Sequence, residues 1–258
     1  MRLMKRILSA AAVLALSASL LVGCSSGTAS SVPVSASSAA ESTVSSVEET
    51  ASSAVDENEA AAAQLLNDLT GSYQELWPVI LADEYKQTWL DDCTALVGED
   101  NAEAAFEKLS SMVTGDVYGE DAVKAYANGG GAYFCGFTNS LAILTFDGET
   151  STISGTDKDG NVLFSHTYHY IGMEPVHGLY EFESDDADSG EFTYFFLAPD
   201  TSAETYHIEF RYGSDAEALS QYDAGEYAYW VASGISTDCD QTMIDNCIEL
   251  FCTENLAG

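Results

Sequence analysis

His207 and Glu209 stand two residues apart in the run Thr205-Tyr206-His207-Ile208-Glu209-Phe210-Arg211-Tyr212. Tyr206, Ile208, Phe210 and Tyr212 alternate with Thr205, His207, Glu209 and Arg211. A strand points successive side chains to opposite sides, so the imidazole and the carboxylate share one face. A neighbouring imidazole and carboxylate have two chemistries open to them: passing a proton, or holding a cation between nitrogen and oxygen donors. The chain has 4 histidines, and the other three (His166, His169 and His177) lie in or beside the preceding apolar-alternating stretch. Glu204 is a further carboxylate just upstream of the pair.

The elements that must position these groups are short strands. Glu191 to Asp215 holds two alternating runs joined by Pro199-Asp200-Thr201-Ser202, which is turn chemistry. Leu141–Phe146, Thr150–Ser154, Val162–Tyr170, Gly178–Glu183, Phe192–Ala198 and Thr205–Tyr212 all read as strands, and Tyr133–Phe137 is a possible further one. Asp147-Gly148, Asp159-Gly160 and the acidic stretch Ser184–Gly190 mark the hairpins between them. Six or more antiparallel strands at this spacing suggest a barrel or a sandwich. Before the strands, helical periodicity runs through Asn58–Leu69, Tyr73–Ala82, Glu84–Val97, a segment capped by Asp100 or Asn101, and Ala122–Ala127 before Gly129-Gly130-Gly131. Ser214–Tyr222 reads as a helical turn. After Asp238 or Asp240, Ile244, Cys247, Ile248 and Phe251 form the apolar stripe of a last helix.

Met1 to Cys24 reads as a processing segment: Arg2, Lys5 and Arg6, then apolar Ile7–Val22, then Leu21-Val22-Gly23-Cys24, a lipobox. Cys24 is expected to become the lipid-bearing (palmitate-type) N-terminus of a bacterial lipoprotein, which places the rest of the chain outside the cytoplasm. Ser25–Glu57 is Ser, Ala, Thr, Val and Glu with little to bury, the composition of a disordered tether. The globular domain is then residues 58–258. The chain carries 8 basic and 42 acidic residues, and three of the basic ones fall in the leader. That balance argues against nucleic acid and anionic membrane surfaces as partners, and serves solubility first. Of the 6 cysteines, Cys24 belongs to the leader. The remaining five contain no C-x-x-C, so neither a redox motif nor a zinc ribbon is supported, and most are expected to be small buried hydrophobes.

Several of these segments together resemble one family. Leu69–Trp89 looks like the helical opening of the ZinT-like (YodA) zinc-binding family. Tyr168-His169-Tyr170-Ile171-Gly172, Ala198-Pro199, Tyr206–Phe210, Gly213-Ser214-Asp215 and Tyr229-Trp230 follow in the family's order, so the resemblance covers about Leu69–Ser236. It implies a lipocalin-like (calycin) antiparallel barrel with N-terminal helices and a C-terminal helix, mostly β with flanking helices. It also implies zinc held by three histidines, one on the first hairpin strand and an H-x-H pair on the second, each about 2.0–2.1 Å from the ion. This chain departs from that set. The H-x-H falls on Thr205-Tyr206-His207, so only His207 matches, and the first-strand histidine falls at about Phe195. A rebuilt site would have to recruit Glu209, Glu204 and His169, a mixture acceptable to zinc and more so to a harder divalent ion.

Enzyme signals are missing from the globular part: it holds no G-x-S-x-G, H-E-x-x-H or Walker loop, and no nucleophile is placed for a His/Glu hydrolase. Asp185-Asp186-Ala187-Asp188 lacks the glycine and bidentate glutamate of a calcium loop. The expectation is therefore a non-enzymatic, lipid-anchored divalent-metal (zinc) binding protein in metal acquisition or buffering. The partner implied by the family is the binding component of a metal importer. The competing expectation is a metal-free lipocalin-like module that binds a small apolar ligand or a protein, with Phe195 turning a ligand corner apolar.

Overall fold

The computed structural model describes residues 57–257 apart from 116 and 132. The leader, Cys24 and nearly all of the tether lie outside the described residues. Eight antiparallel strands close into a barrel in simple sequence order. They are β1 (Gly71–Glu75), β2 (Ile143–Asp147), β3 (Thr152–Thr156), β4 (Val162–Met173), β5 (Tyr180–Ser184), β6 (Tyr194–Leu197), β7 (Ile208–Gly213) and β8 (Ala232–Ser236). Helices flank the barrel at both ends of the chain, which makes it lipocalin-like.

Six of the strands fall where alternation places them. The two that close the ring do not. β1 pairs with both β2 and β8. Its Gly71–Glu75 segment has a helical apolar spacing with the residues that follow, and only Leu76–Ile80 is helical. β8 reads Ala-Ser-Gly-Ile-Ser and has the composition of a loop, yet it is buried at every position but the last. Strand identity here is imposed by ladder partners on each side rather than by local propensity. Tyr133–Phe137 contributes isolated bridges at Phe134 to Thr114 and Trp230 rather than a strand.

The pleat sorts the side chains. Leu144, Ile153, Phe182, Phe195, Phe210 and Tyr212 fall in one buried cluster inside the ring. Phe195 sits opposite Tyr212 in the β6–β7 register and stacks on it at 5.4 Å. The helix over residues 57–68 packs Ala62, Leu65 and Leu66 on the same cluster, and Gly148 in the β2–β3 turn lets it approach: a Cβ there would meet the backbone of Asn67 at 2.4 Å.

A second core lies outside the ring. The helices Lys86–Val97, Glu99–Val113 and Gln241–Leu256 pack with Leu76, Trp77, Ile80 and Ile235. Glu99 starts the second of these helices, with Gly98 as its N-cap at φ 85°, so neither Asp100 nor Asn101 caps it. Asp240 caps the last helix by accepting from Met243 N at 2.9 Å. Phe251 meets Trp77 edge-on at 4.7 Å, and Trp89 donates to the Ile80 carbonyl at 2.7 Å. Burying one such side chain is worth about 1.5–3 kcal/mol, so this cluster is what holds the C-terminal helix against the barrel's outer face.

Arg211 anchors the remaining loop. It is fully buried and donates to the carbonyls of Leu219, Gln221 and Tyr227, with its guanidinium 4.1 Å over the Tyr222 ring. Burial lowers its pKa from the ordinary arginine value. These bonds fix the path from β7, through the turn of helix Ala216–Leu219, into β8.

Candidate functional site

Ile208, Phe210 and Tyr212 point into the barrel, so His207, Glu209 and Arg211 point out of it. The histidine–carboxylate pair therefore lies on the outer face of β7, under the C-terminal helix. A small cavity of about 10 Å³ separates the two elements. Ala198, Asp200, Thr205, His207, Glu209, Leu250 and Glu254 line it. That volume admits a single water-sized centre, which is also the size of one ion.

The approach to β7 is bent. Ser202–Thr205 forms one helical turn, and Tyr206 ends it in the left-handed region at φ 66°. The strand accordingly begins at Ile208, later than the alternation places it. Thr205 spends its hydroxyl on the carbonyls of Thr201 (3.0 Å) and His207 (2.6 Å). Its own carbonyl accepts from His207 Nδ1 at 2.7 Å. That bond fixes the ring's orientation and turns Nε2 toward Glu209 Oε1, 3.9 Å away. A backbone carbonyl on one ring nitrogen is how ligating histidines are held.

Electrostatically the ring sits in a conflict that resolves toward charge. Its burial disfavours the imidazolium, but its interactions with the Cys247 sulfur and the Glu209 carboxylate outweigh that. The pKa of His207 is held well above the ordinary histidine value. Nε2 can take a cation only as the neutral imidazole, so binding there would be opposed by protonation and would release a proton.

The pair has the right separation for an ion without being a finished site. Two nitrogen or oxygen donors on a tetrahedral zinc stand about 3.4 Å apart, from ligand distances of about 2.0–2.1 Å. His207 and Glu209 are within half an ångström of that. Asp200 from the β6–β7 connection and Glu254 from the C-terminal helix complete the lining with oxygen donors. Among the described residues, however, no group of three or more His, Cys, Asp or Glu is gathered tightly enough to hold a metal ion. The residues fit a divalent ion through two converged donors, with further carboxylates that must move to meet it.

Of the two positions the resemblance singles out, Thr205 lines the same cavity as His207 and Phe195 does not. Thr205 ends a helical turn, and Phe195 is a core residue on the inner face, five register positions from His207. The i, i+2 pair on the outer face is His207 and Glu209. Glu204 is exposed on the short helix and does not line the cavity. His169 is on β4, with β5 and β6 between it and β7, and pairs with Asp185 at 2.7 Å. His166 pairs with Asp186 at 2.7 Å, and His177 is buried 3.4 Å from Glu174. Each histidine thus has its own carboxylate, and the structure does not bring the four together.

Asp200, Glu254 and Cys247 escaped the sequence reading. Asp200 looked like turn chemistry, and Cys247 like part of an apolar stripe. One signal was available: Cys247, Leu250 and Glu254 fall at i, i+3 and i+7, so a single helix face presents a thiol and a carboxylate to whatever it packs on.

No protein-family model matches the chain, and no curated protein matches it. Among solved structures, the chain is similar to the Zn(II)-bound ZinT-like domain of Streptococcus pneumoniae AdcA at TM-score 0.46 and 16% identity, over 72% of this chain and 89% of that one. It is also similar to Zn(II)-bound AdcA from the same organism at TM-score 0.42 and 14% identity, over 70% of this chain and 34% of that one, so it spans about a third of that longer protein. The fold of this chain is defined by its own strand pairing.

Proposed function

We propose that this protein binds a divalent cation, zinc above all, in the cavity between β7 and the C-terminal helix. The observation that carries the reading is the His207–Glu209 pair: Nδ1 is committed to the Thr205 carbonyl, and Nε2 faces a carboxylate across 3.9 Å beside a single-ion cavity. His207 and Glu209 would be the anchoring ligands. Asp200 and Glu254 would supply oxygens after side-chain rotation. When bound, the ion would tie the C-terminal helix to the barrel wall.

Two converged donors make an exchangeable site rather than a structural one, since structural zinc is held by four closed ligands. This suits uptake or buffering of the metal, with hand-over to the binding component of a metal importer. The lipobox at Cys24 supports an extracytoplasmic, membrane-anchored location. The competing reading, an apolar ligand in the barrel, leaned on Phe195. That residue packs against Tyr168 at 5.4 Å and Tyr212 at 5.4 Å as core, so it offers no wall to a ligand.

The test is metal content after equilibrium dialysis of the purified protein against buffered zinc. One equivalent retained, and lost on competition with a chelator, is the expected result. Zinc retention no greater than that of an unrelated protein of equal negative charge would overturn the proposal.

A further inference from the structure

Outside the ion site, two thiols face each other in the second core. Cys93, on the helix Lys86–Val97, and Cys252, on the helix Gln241–Leu256, place their sulfurs 3.9 Å apart. Both residues have no exposed surface. We propose that Cys93 and Cys252 close a disulfide bond that staples these two helices together. A disulfide needs its sulfurs about 2.05 Å apart, so from 3.9 Å each must approach by about 0.9 Å. Of the other three thiols among the described residues, Cys247 lies with His207 and Cys135 with Ser233 and Trp77, which leaves Cys239.

The chemistry is exchange with a small or protein disulfide donor. The Cys93 thiolate attacks one sulfur of the donor, forming a mixed disulfide and expelling one donor thiolate. The Cys252 thiolate then attacks the Cys93 sulfur and expels the second. The two cysteines lose two protons and two electrons, and the donor is reduced to two thiols. Burial raises both thiol pKa values, the Cys252 one also through its neighbour Cys93. Exchange in the packed state is therefore slow, and the bond forms as the C-terminal helix docks.

The loop so closed runs from Cys93 to Cys252 and encloses seven of the eight strands. Constraint of a loop this long is expected to raise the melting temperature by roughly 5–15 °C. The bond also fixes the helix that carries Leu250 and Glu254 into the cation cavity, although neither the inference nor its test depends on cation binding.

The experiment uses the full chain, unfolded in denaturant with reductant and refolded by dilution into a mixture of reduced and oxidised glutathione, so that the thiols are accessible before the helix docks. It is quenched in acid, alkylated with iodoacetamide in denaturant, digested and mapped by mass. The expected result is a cross-linked peptide pair holding Cys93 and Cys252, with Cys239 alkylated. Reductant should lower the melting temperature of the wild type and of Cys239→Ala, and leave Cys93→Ala unchanged. Complete alkylation of Cys93 or Cys252 in the oxidised sample, or a cross-link from either to another cysteine, would overturn the proposal. If Cys93→Ala does not fold, the peptide map of wild type with and without reductant decides alone.

Discussion

Replacing His207 by alanine tests the ion site most directly. Four-ligand structural zinc sites have apparent binding energies of about 10–16 kcal/mol, or about 2.5–4 kcal/mol for each ligand. His207 and Glu209 are the converged pair in the cavity, at 3.9 Å. Two ligands at that worth give about 5–8 kcal/mol, a dissociation constant between about 1 and 200 µM. His207→Ala removes one ligand, and affinity should fall by roughly 70- to 900-fold, to the millimolar range or beyond. The variant also leaves the Thr205 carbonyl without its Nδ1 partner, at a stability cost of about 1 kcal/mol, which the fold tolerates. Isothermal calorimetry with zinc, on chelator-treated protein at constant ionic strength, measures the change. The chain's 42 acidic residues will bind zinc loosely at many places. Asp159→Asn, an exposed substitution paired only with Lys158, controls for that background and should leave the specific heat unchanged. The reasoning is refuted if His207→Ala keeps a dissociation constant within about threefold of wild type while still folded by circular dichroism.

Further outcomes follow from other parts of the chain. Glu209→His should tighten zinc by about tenfold or more in the same titration, because it turns the i, i+2 pair on β7 into two imidazoles; weaker binding would mean the carboxylate is essential. Cys24→Ser should release the protein from the membrane fraction or leave it unprocessed, read by fractionation and N-terminal mass, and a wild-type protein starting elsewhere than Cys24 counts against the lipobox. Deleting residues 25–56 should move the melting temperature by no more than a few degrees, since the core begins with Ala62. Burial opposes ionisation of Glu174, but bonds from His177 and the Val176 backbone outweigh it and hold the carboxyl below its ordinary value. A depressed carboxyl stabilises the fold above its unfolded pKa of about 4.3 and loses that contribution as pH falls through the folded value. The melting-temperature gap between wild type and Glu174→Gln should therefore shrink from pH 6 to pH 3; a gap that is constant across that range rules the mechanism out.

Alternation and turn residues were enough to place six of the eight strands, because each has a face that must be buried and a face that need not be. The same local patterns placed the last helix, with Asp240 at its cap, and the buried stripe Ile244, Cys247, Ile248 and Phe251. They also put His207 and Glu209 on one side of a strand. Closure of the barrel was decided elsewhere. β1 carries a helix-like spacing and β8 a loop-like composition, and both become strands only because each supplies the other with an edge to pair with. What covers the outer, polar face of β7 was likewise not legible. The strand's own pattern says which face is polar, but the C-terminal helix that covers that face comes from a distant part of the chain. Phe195 goes into the core and His207 out to meet Asp200 nearby in sequence and Cys247 and Glu254 some forty residues on, whose approach depends on how Phe251 packs against Trp77 and Trp89. The sequence by itself determined the donor pair; only tertiary packing decided the company it keeps, because contacts between distant segments are set by the burial of whole faces and not by the residues that later meet there.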